Sequence, residues 1–175
     1  NTKLSGPLMM SEDIISNESL EQTKKSYNLS KHGTRSKYIG IFDIVPYDHK
    51  LLENLRYSVL YSQEYHKKFM FDIFNILSEI DNIHLIIKQK RTTKFDNLDD
   101  AVYSFIENNP DKITLLDPEI NPYLAIQLCD LVICSAYTSI FFAAQQKSIP
   151  ALFYSPSMNK VLINKQLKEF LVVGK

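Results

Sequence analysis

Apolar residues are distributed along the chain in two alternating modes. Short unbroken runs occur at Tyr38-Ile39-Gly40-Ile41-Phe42-Asp43-Ile44, Ile83-His84-Leu85-Ile86-Ile87, Ile113-Thr114-Leu115-Leu116, Leu131-Val132-Ile133-Cys134 and Ala151-Leu152-Phe153-Tyr154. Their length and β-branched or aromatic content predict buried strands. Between the first two runs Tyr65, Phe69, Ile73, Ile76, Leu77 and Ile80 recur mostly at spacings of three and four, the mark of an amphipathic helix. A second helix is predicted over about 98–108, with Val102, Phe105 and Ile106 on its apolar side. A short third helix opens where Asn121 can cap and Pro122 can occupy the first turn. Two further helices are expected over about 138–147 and 160–170, and Pro46, Pro110 and Pro150 punctuate the pattern.

Strands that are continuous rather than alternating, each followed by a helix, predict an α/β fold. The expected architecture is a Rossmann-like doubly wound parallel sheet of about five strands, in spatial order 3-2-1-4-5. Residues 1–35 lack a long apolar period and form an expected lead-in with little core and one short helix capped by Asn17 or Ser19. Residues 36–175 form the Rossmann-like domain. The opening Asn1-Thr2-Lys3-Leu4 has no methionine and runs into Ser5-Gly6-Pro7, as expected of a piece of a longer protein.

Composition narrows the chemistry. Twenty basic residues balance twenty acidic ones across 175 residues, so bulk charge does not point to nucleic acid or an anionic membrane, and any anion site must be local. The longest apolar stretches fall far short of the roughly 20 residues needed to span a bilayer. Cys129 and Cys134 flank an apolar segment and are expected to be reduced core thiols in a cytoplasmic compartment. The four histidines are too scattered to complete a zinc pattern with them, so no metal is expected. With only four glycines, neither a phosphate-binding Gly-Lys loop nor a dinucleotide fingerprint is present.

Ligands of doubly wound sheets lie beyond the carboxyl ends of the strands. There, Cys134-Ser135-Ala136-Tyr137-Thr138-Ser139 takes a buried strand into hydroxyl residues that open a helix. Backbone N–H groups and hydroxyls at such a start make an anion site; alternatively, Thr138 or Ser139 is simply an N-cap. Lys88, Lys90, Arg91 and Lys94 cluster after the second strand, where they suit a diphosphate or a sugar carboxylate, or form a solvated loop. Asp43 and Asp117 end strands one and three, as turn-closers or as functional carboxylates. Tyr47, Arg56 and Tyr61 lie in the loop after strand one, where packing or closure over a nucleotide would suit them, and Tyr154-Ser155-Pro156 could contact a base or ribose through its backbone or form a plain turn.

The segment Asp130 to Ser139, with Ala143-Ala144, Ile149-Pro150 and Phe153-Tyr154-Ser155-Pro156, resembles the donor-binding half of GT-B glycosyltransferases. The nearest likeness is to bacterial capsule and lipopolysaccharide biosynthesis proteins, in which an Asp-x-Val-Ile strand leads to a Thr-Ser helix start. Phe42-Asp43 with Pro46, and Ile87-Lys88-Gln89-Lys90-Arg91, resemble that group's first two strand exits, so the likeness covers about 37–157. It implies a metal-independent transferase taking sugar from a CMP- or UDP-linked donor, with no other cofactor. The nucleotide-sugar site would comprise Ser135, Thr138, Ser139, Lys88, Lys90, Arg91, Asp43 and Tyr154. The partner would be a preceding acceptor-binding half of the same protein, joined near Gly6-Pro7, and the location cytoplasmic, including the inner face of the cell membrane through peripheral attachment of the full-length protein. No catalytic base is identified. One departure stands out: many such enzymes carry a ribose-binding Glu on the helix after strand four and then a Gly, where this chain has Ala143 and Ser148. The competing readings are a non-catalytic nucleotide-binding or scaffold module and a sugar-nucleotide 2-epimerase-like enzyme.

Overall fold

The computed structural model describes residues 15–29, 36–42, 62–89, 99–135, 138–156 and 171–173. After helix α1 (Asn17–Ser26), strands and helices alternate as β1 (Lys37–Phe42), α2 (Gln63–Ser78), β2 (Ile83–Lys88), α3 (Asp100–Glu107), β3 (Ile113–Leu116), α4 (Pro122–Gln127), β4 (Leu131–Cys134), α5 (Ser139–Gln146), β5 (Ala151–Ser155) and β6 (Leu171–Val173). The strands form one sheet in the order β3-β2-β1-β4-β5-β6. Every pairing is parallel. The five expected strands thus take the expected order. β6 is an addition that the sequence pattern does not announce: Leu171 to Val173 pair with Phe153 to Ser155 at the sheet edge. The helix expected over 160–170 lies outside the described residues.

Alternate residues of β1 to β5 feed two separate cores, as a two-faced sheet requires. On one face Phe42, Ile86, Leu116, Val132, Cys134 and Phe153 pack with Leu29, with Ala125 and Ile126 of α4, and with Phe141, Ala143 and Ala144 of α5. On the other, Ile39, Ile41, Leu85, Ile87, Ile113, Ile133 and Tyr154 pack with Phe69, Met70, Ile73 and Phe74 of α2 and Val102 and Ile106 of α3. Helices on both faces make the sheet doubly wound. Stacked rings reinforce each layer, Phe141 on Phe153 at 4.2 Å and Phe74 on Phe105 at 4.7 Å.

Three local expectations are corrected. The cap of α1 is neither Asn17 nor Ser19 but Ser16, whose hydroxyl accepts from Ser19 N–H at 3.1 Å. α1 itself buries nothing, yet Leu29 just beyond it is 2% exposed, and the Tyr38 hydroxyl donates to its carbonyl, so the lead-in does contribute core. Ile76 and Ile80 do not extend the buried stripe of α2: both are exposed, and Ile80 lies beyond the helix end in the turn before β2. Single exposed aliphatics of this kind are ordinary.

Both cysteines are buried free thiols. Cys129 presses on β1: a Cβ added at Gly40 would sit 2.6 Å from its Sγ, so the central strand requires glycine at this point. At the end of α5, Ser148 stands at φ 57, the left-handed region that glycine adopts without a steric penalty. Its N–H closes the helix onto Gln145 O at 2.9 Å. The chain therefore keeps the backbone form expected of the absent Gly, with a serine in its place.

Candidate functional site at the carboxyl edge of the sheet

The strand order reverses direction between β1 and β4, and the crevice of a doubly wound sheet opens at that point. Phe42 pairs with Lys88 on one side and Cys134 on the other, so β2, β1 and β4 end level. The chain leaves β4 through buried Ser135 and enters α5 at Thr138.

Thr138 occupies the N-cap position with extended backbone, φ −92 and ψ 143, but its side chain makes no capping bond. By contrast Ser16, Ser62, Asp99 and Asn121 each cap their helix through a side-chain oxygen. The Thr138 Oγ1 atom is instead buried, with no hydrogen-bond partner of regular geometry among the described residues. It turns toward the Cys134 thiol, which burial pushes up to about 12 against the opposing pull of the Thr138 hydroxyl. Ser139 is exposed at the first helical position, and the first turn of α5 carries no acidic side chain. The positive end of the helix dipole is thus left without a protein anion on its own helix.

Beside this turn lies a group of buried hydroxyls. Tyr65, from the first turns of α2, hydrogen-bonds Ser155 Oγ at 3.2 Å. Burial raises the pKa of the Tyr65 hydroxyl, while its bonds to Ser155 and Ser135 pull the other way. The exit of β5 is therefore tied to α2 through a buried phenol.

Residues 1–173 match the family described as Polysaccharide biosynthesis PFTS motif protein. The chain belongs to this family. A solved structure similar to it is Thermosulfurimonas dismutans KpsC, a beta Kdo 2,4 transferase, at 8% identity and a TM-score of 0.42, covering 81% of this chain and 46% of that one. The chain thus spans less than half of that transferase's length. No curated protein matches it.

In this polysaccharide biosynthesis family member the residues expected at the site divide into three groups. Ser135, Thr138 and Ser139 come together at the β4 exit, as described. Lys88 lies on the same face of the sheet as α5, but it is buried, and its ammonium donates to Gln89 O at 2.5 Å and Pro118 O at 2.7 Å. It fastens the β2 exit to the β3 exit rather than standing in solvent. Tyr154 departs furthest: its side chain points to the opposite face, where the ring meets Phe69 at 5.9 Å and the hydroxyl donates to Asp72 Oδ2 at 2.7 Å. Burial, then the bond to Asp72 and its charge, hold this phenol well above its ordinary value. Asp43, Lys90 and Arg91 lie outside the described residues, as do Lys94, Tyr47, Arg56 and Tyr61.

Asp117 behaves as a turn residue, its Oδ1 accepting from Glu119 N–H at 2.7 Å. Ala143, at the position where a ribose-binding Glu was expected from the resemblance, is buried in the core face. Sequence reasoning passed over Tyr65, which carries the apolar period of α2 and so looked like core alone, and Gln89, whose amide donates to Tyr103 Oη at 3.1 Å. Among the described residues no group of three or more His, Cys, Asp or Glu could hold a metal ion, and no helix is long and apolar enough to cross a membrane.

Proposed function

We propose that this chain is the donor-binding half of a GT-B glycosyltransferase of surface-polysaccharide biosynthesis, and that the β4–α5 turn holds the phosphate of a CMP- or UDP-linked sugar. The observation that carries the reading is the start of α5. An uncapped helix N-terminus with no acidic first turn, an exposed Ser139 and a buried Thr138 hydroxyl lacking a regular partner suits a phosphate oxygen. Thr138-Ser139 is the one Thr-Ser pair in the chain, and Ala136-Tyr137-Thr138-Ser139 shares the Thr-Ser half of the Pro-Phe-Thr-Ser letters in the family's description.

In such a transfer the bond between the sugar's anomeric carbon and the phosphate oxygen breaks, the nucleotide leaves, and negative charge grows on its phosphate. Fixed N–H groups and hydroxyls at a helix start stabilise that charge as it develops. The acceptor hydroxyl and its base belong, in this reading, to a preceding acceptor-binding half, with residues 1–35 as the lead-in and 36–175 as the nucleotide-sugar domain. The setting is the cytoplasm, including the inner face of the cell membrane.

Titration calorimetry of the chain with CMP and with UDP tests this. Weak binding without sugar transfer is the expected result. Absence of binding to both at millimolar concentration would move the protein to the scaffold reading, and robust transfer by this chain alone would overturn the two-half arrangement.

A further inference from the structure

At the amino edge of the sheet, the end opposite the β4–α5 turn, α2 and α3 finish over the first residues of β2 and β3. Between them lies a groove of about 300 Å3, partly open to solvent, with buried Phe74, Leu85 and Ile113 at its base and half-buried Leu77, Ile83 and Phe105 along its sides. The groove is apolar, but its rim is not. Glu79 caps the end of α2, Asp81 stands in the turn into β2, Glu107 is the last residue of α3 and Asp111 stands in the turn into β3; all four are exposed. Their carboxylates make no hydrogen bond or ion pair with another described residue, whereas Glu21, Asp72, Asp99 and Asp130 each meet a lysine. Lys112 is the one cation among the described residues that line the groove, and its ammonium donates to Ser78 O at 3.2 Å.

A helix carries partial negative charge at its C-terminus and favours lysine or arginine there, yet neither α2 nor α3 has a basic residue in its last turn, and each ends on a carboxylate. Unpaired acids and two negative helix ends thus surround one apolar groove, in a chain whose formal net charge is zero. The arrangement costs the fold stability and serves none of its packing, as expected of a surface kept for a partner. We propose that this groove docks a basic amphipathic helix of a partner protein, its apolar side chains seated between Leu77 and Phe105 and its Lys or Arg residues against Glu79, Asp81, Glu107 and Asp111. Charge selects this occupant, because the same rim repels a nucleic acid or an anionic lipid surface. The groove stands apart from the β4–α5 turn and does not depend on what that turn binds.

The test uses fluorescence anisotropy with a labelled helical peptide of leucine and lysine, its leucines at i, i+3, i+4 and i+7, at physiological ionic strength. The wild-type chain is expected to bind this peptide, and the double variant Glu79→Lys, Glu107→Lys to bind it at least about tenfold more weakly. The same variant is expected to melt at or above the wild-type temperature, because its new charges suit the helix ends. Binding lost while stability is kept or gained supports a docking surface. Should the double variant melt lower, Asp81→Asn with Asp111→Asn weakens the rim without touching either helix end, and it is expected to lower affinity in the same direction. The proposal falls if the wild-type chain does not bind the peptide, if both variants bind it as tightly as the wild type, or if a peptide with serine for leucine binds equally well, since charge alone then accounts for the attraction. It also falls if sedimentation shows that the chain alone self-associates and that Glu79→Lys, Glu107→Lys abolishes this, which makes the occupant a second copy.

Discussion

The Tyr154 hydroxyl donates to Asp72 Oδ2 at 2.7 Å, joining the penultimate residue of β5 to the middle of α2 on the sheet face opposite α5. Asp72 also receives Lys68 Nζ at 2.6 Å, so one carboxylate gathers a phenol and an ammonium from two elements. The Lys68 pair is half exposed and contributes little by itself. The buried phenol is the stronger partner.

Replacing Tyr154 with Phe should therefore lower stability by about 1.5–3 kcal/mol, the usual worth of a hydrogen bond to a charged acceptor. Nucleotide affinity should not change, because the side chain faces away from the β4–α5 turn. Urea unfolding beside calorimetric titration checks both halves, and a loss of affinity without a loss of stability would return the Tyr154 side chain to the binding site.

Acid should weaken the fold through two carboxylates. Burial pushes the Asp130 carboxyl up, but its hydrogen bond with Lys37, the Tyr38 N–H and the Lys37 charge outweigh it, and the group ends below its ordinary 3.8. Asp99 is set in the same way: burial raises it, while Lys67 and the N–H groups of Ala101 and Val102 lower it further. A depressed folded-state value means the stabilisation is complete above 3.8 and is lost as pH falls through the lower folded-state value. Asp99→Asn keeps an oxygen to cap α3 while removing the charge. Urea midpoints measured from pH 7 to pH 3 should fall less steeply at the acid end for this variant than for the wild type.

The parts of this fold that were legible in the sequence are those set by local pattern. Leu131 to Cys134 form an apolar run bounded by polar residues, and such a run can bury both faces only as a central strand. What escaped depended on distant partners. Leu29 is core because Tyr38 reaches back to its carbonyl, and nothing local to residue 29 says so. β6 is three residues long and exists through its pairing with β5. Lys88 belonged to a basic run and looked like surface, yet as the last residue of β2 it shares a face with Ile86, and two loop carbonyls receive its charge. At the candidate site the Thr-Ser helix start was readable from residue types. The capping failure that distinguishes it from an ordinary helix start was not, because it depends on which way one hydroxyl turns.

Gly40→Ala should be severely destabilising for a substitution that adds one methyl group. The new Cβ would lie 2.6 Å from Cys129 Sγ and 3.1 Å from the Phe42 ring, in the central strand, where backbone paired on both sides cannot move away. Overpacking of this kind costs about 1–3 kcal/mol. Cys129→Ala removes the sulfur and should recover part of the loss in the double variant, which paired thermal melts would show as non-additivity. Equal losses with and without Cys129 would mean that the close approach is not the cause.

Thr138→Val separates the two meanings of a threonine at a helix start by the sign of its effect on stability. If Thr138 capped α5, losing its hydroxyl would cost about 1 kcal/mol, as at other N-caps. Its Oγ1 caps nothing and is buried without a regular partner, and valine has nearly the same shape. Removing a buried hydroxyl whose contact is the weakly hydrogen-bonding Cys134 thiol, without changing the packing, should leave the melting temperature unchanged or raise it. The same substitution removes a hydroxyl available to a phosphate oxygen, so affinity for CMP or UDP should fall by about 1–3 kcal/mol. Opposite signs in melting and titration are expected only of a residue reserved for a ligand. A lowered melting temperature with unchanged affinity would make Thr138 an ordinary cap.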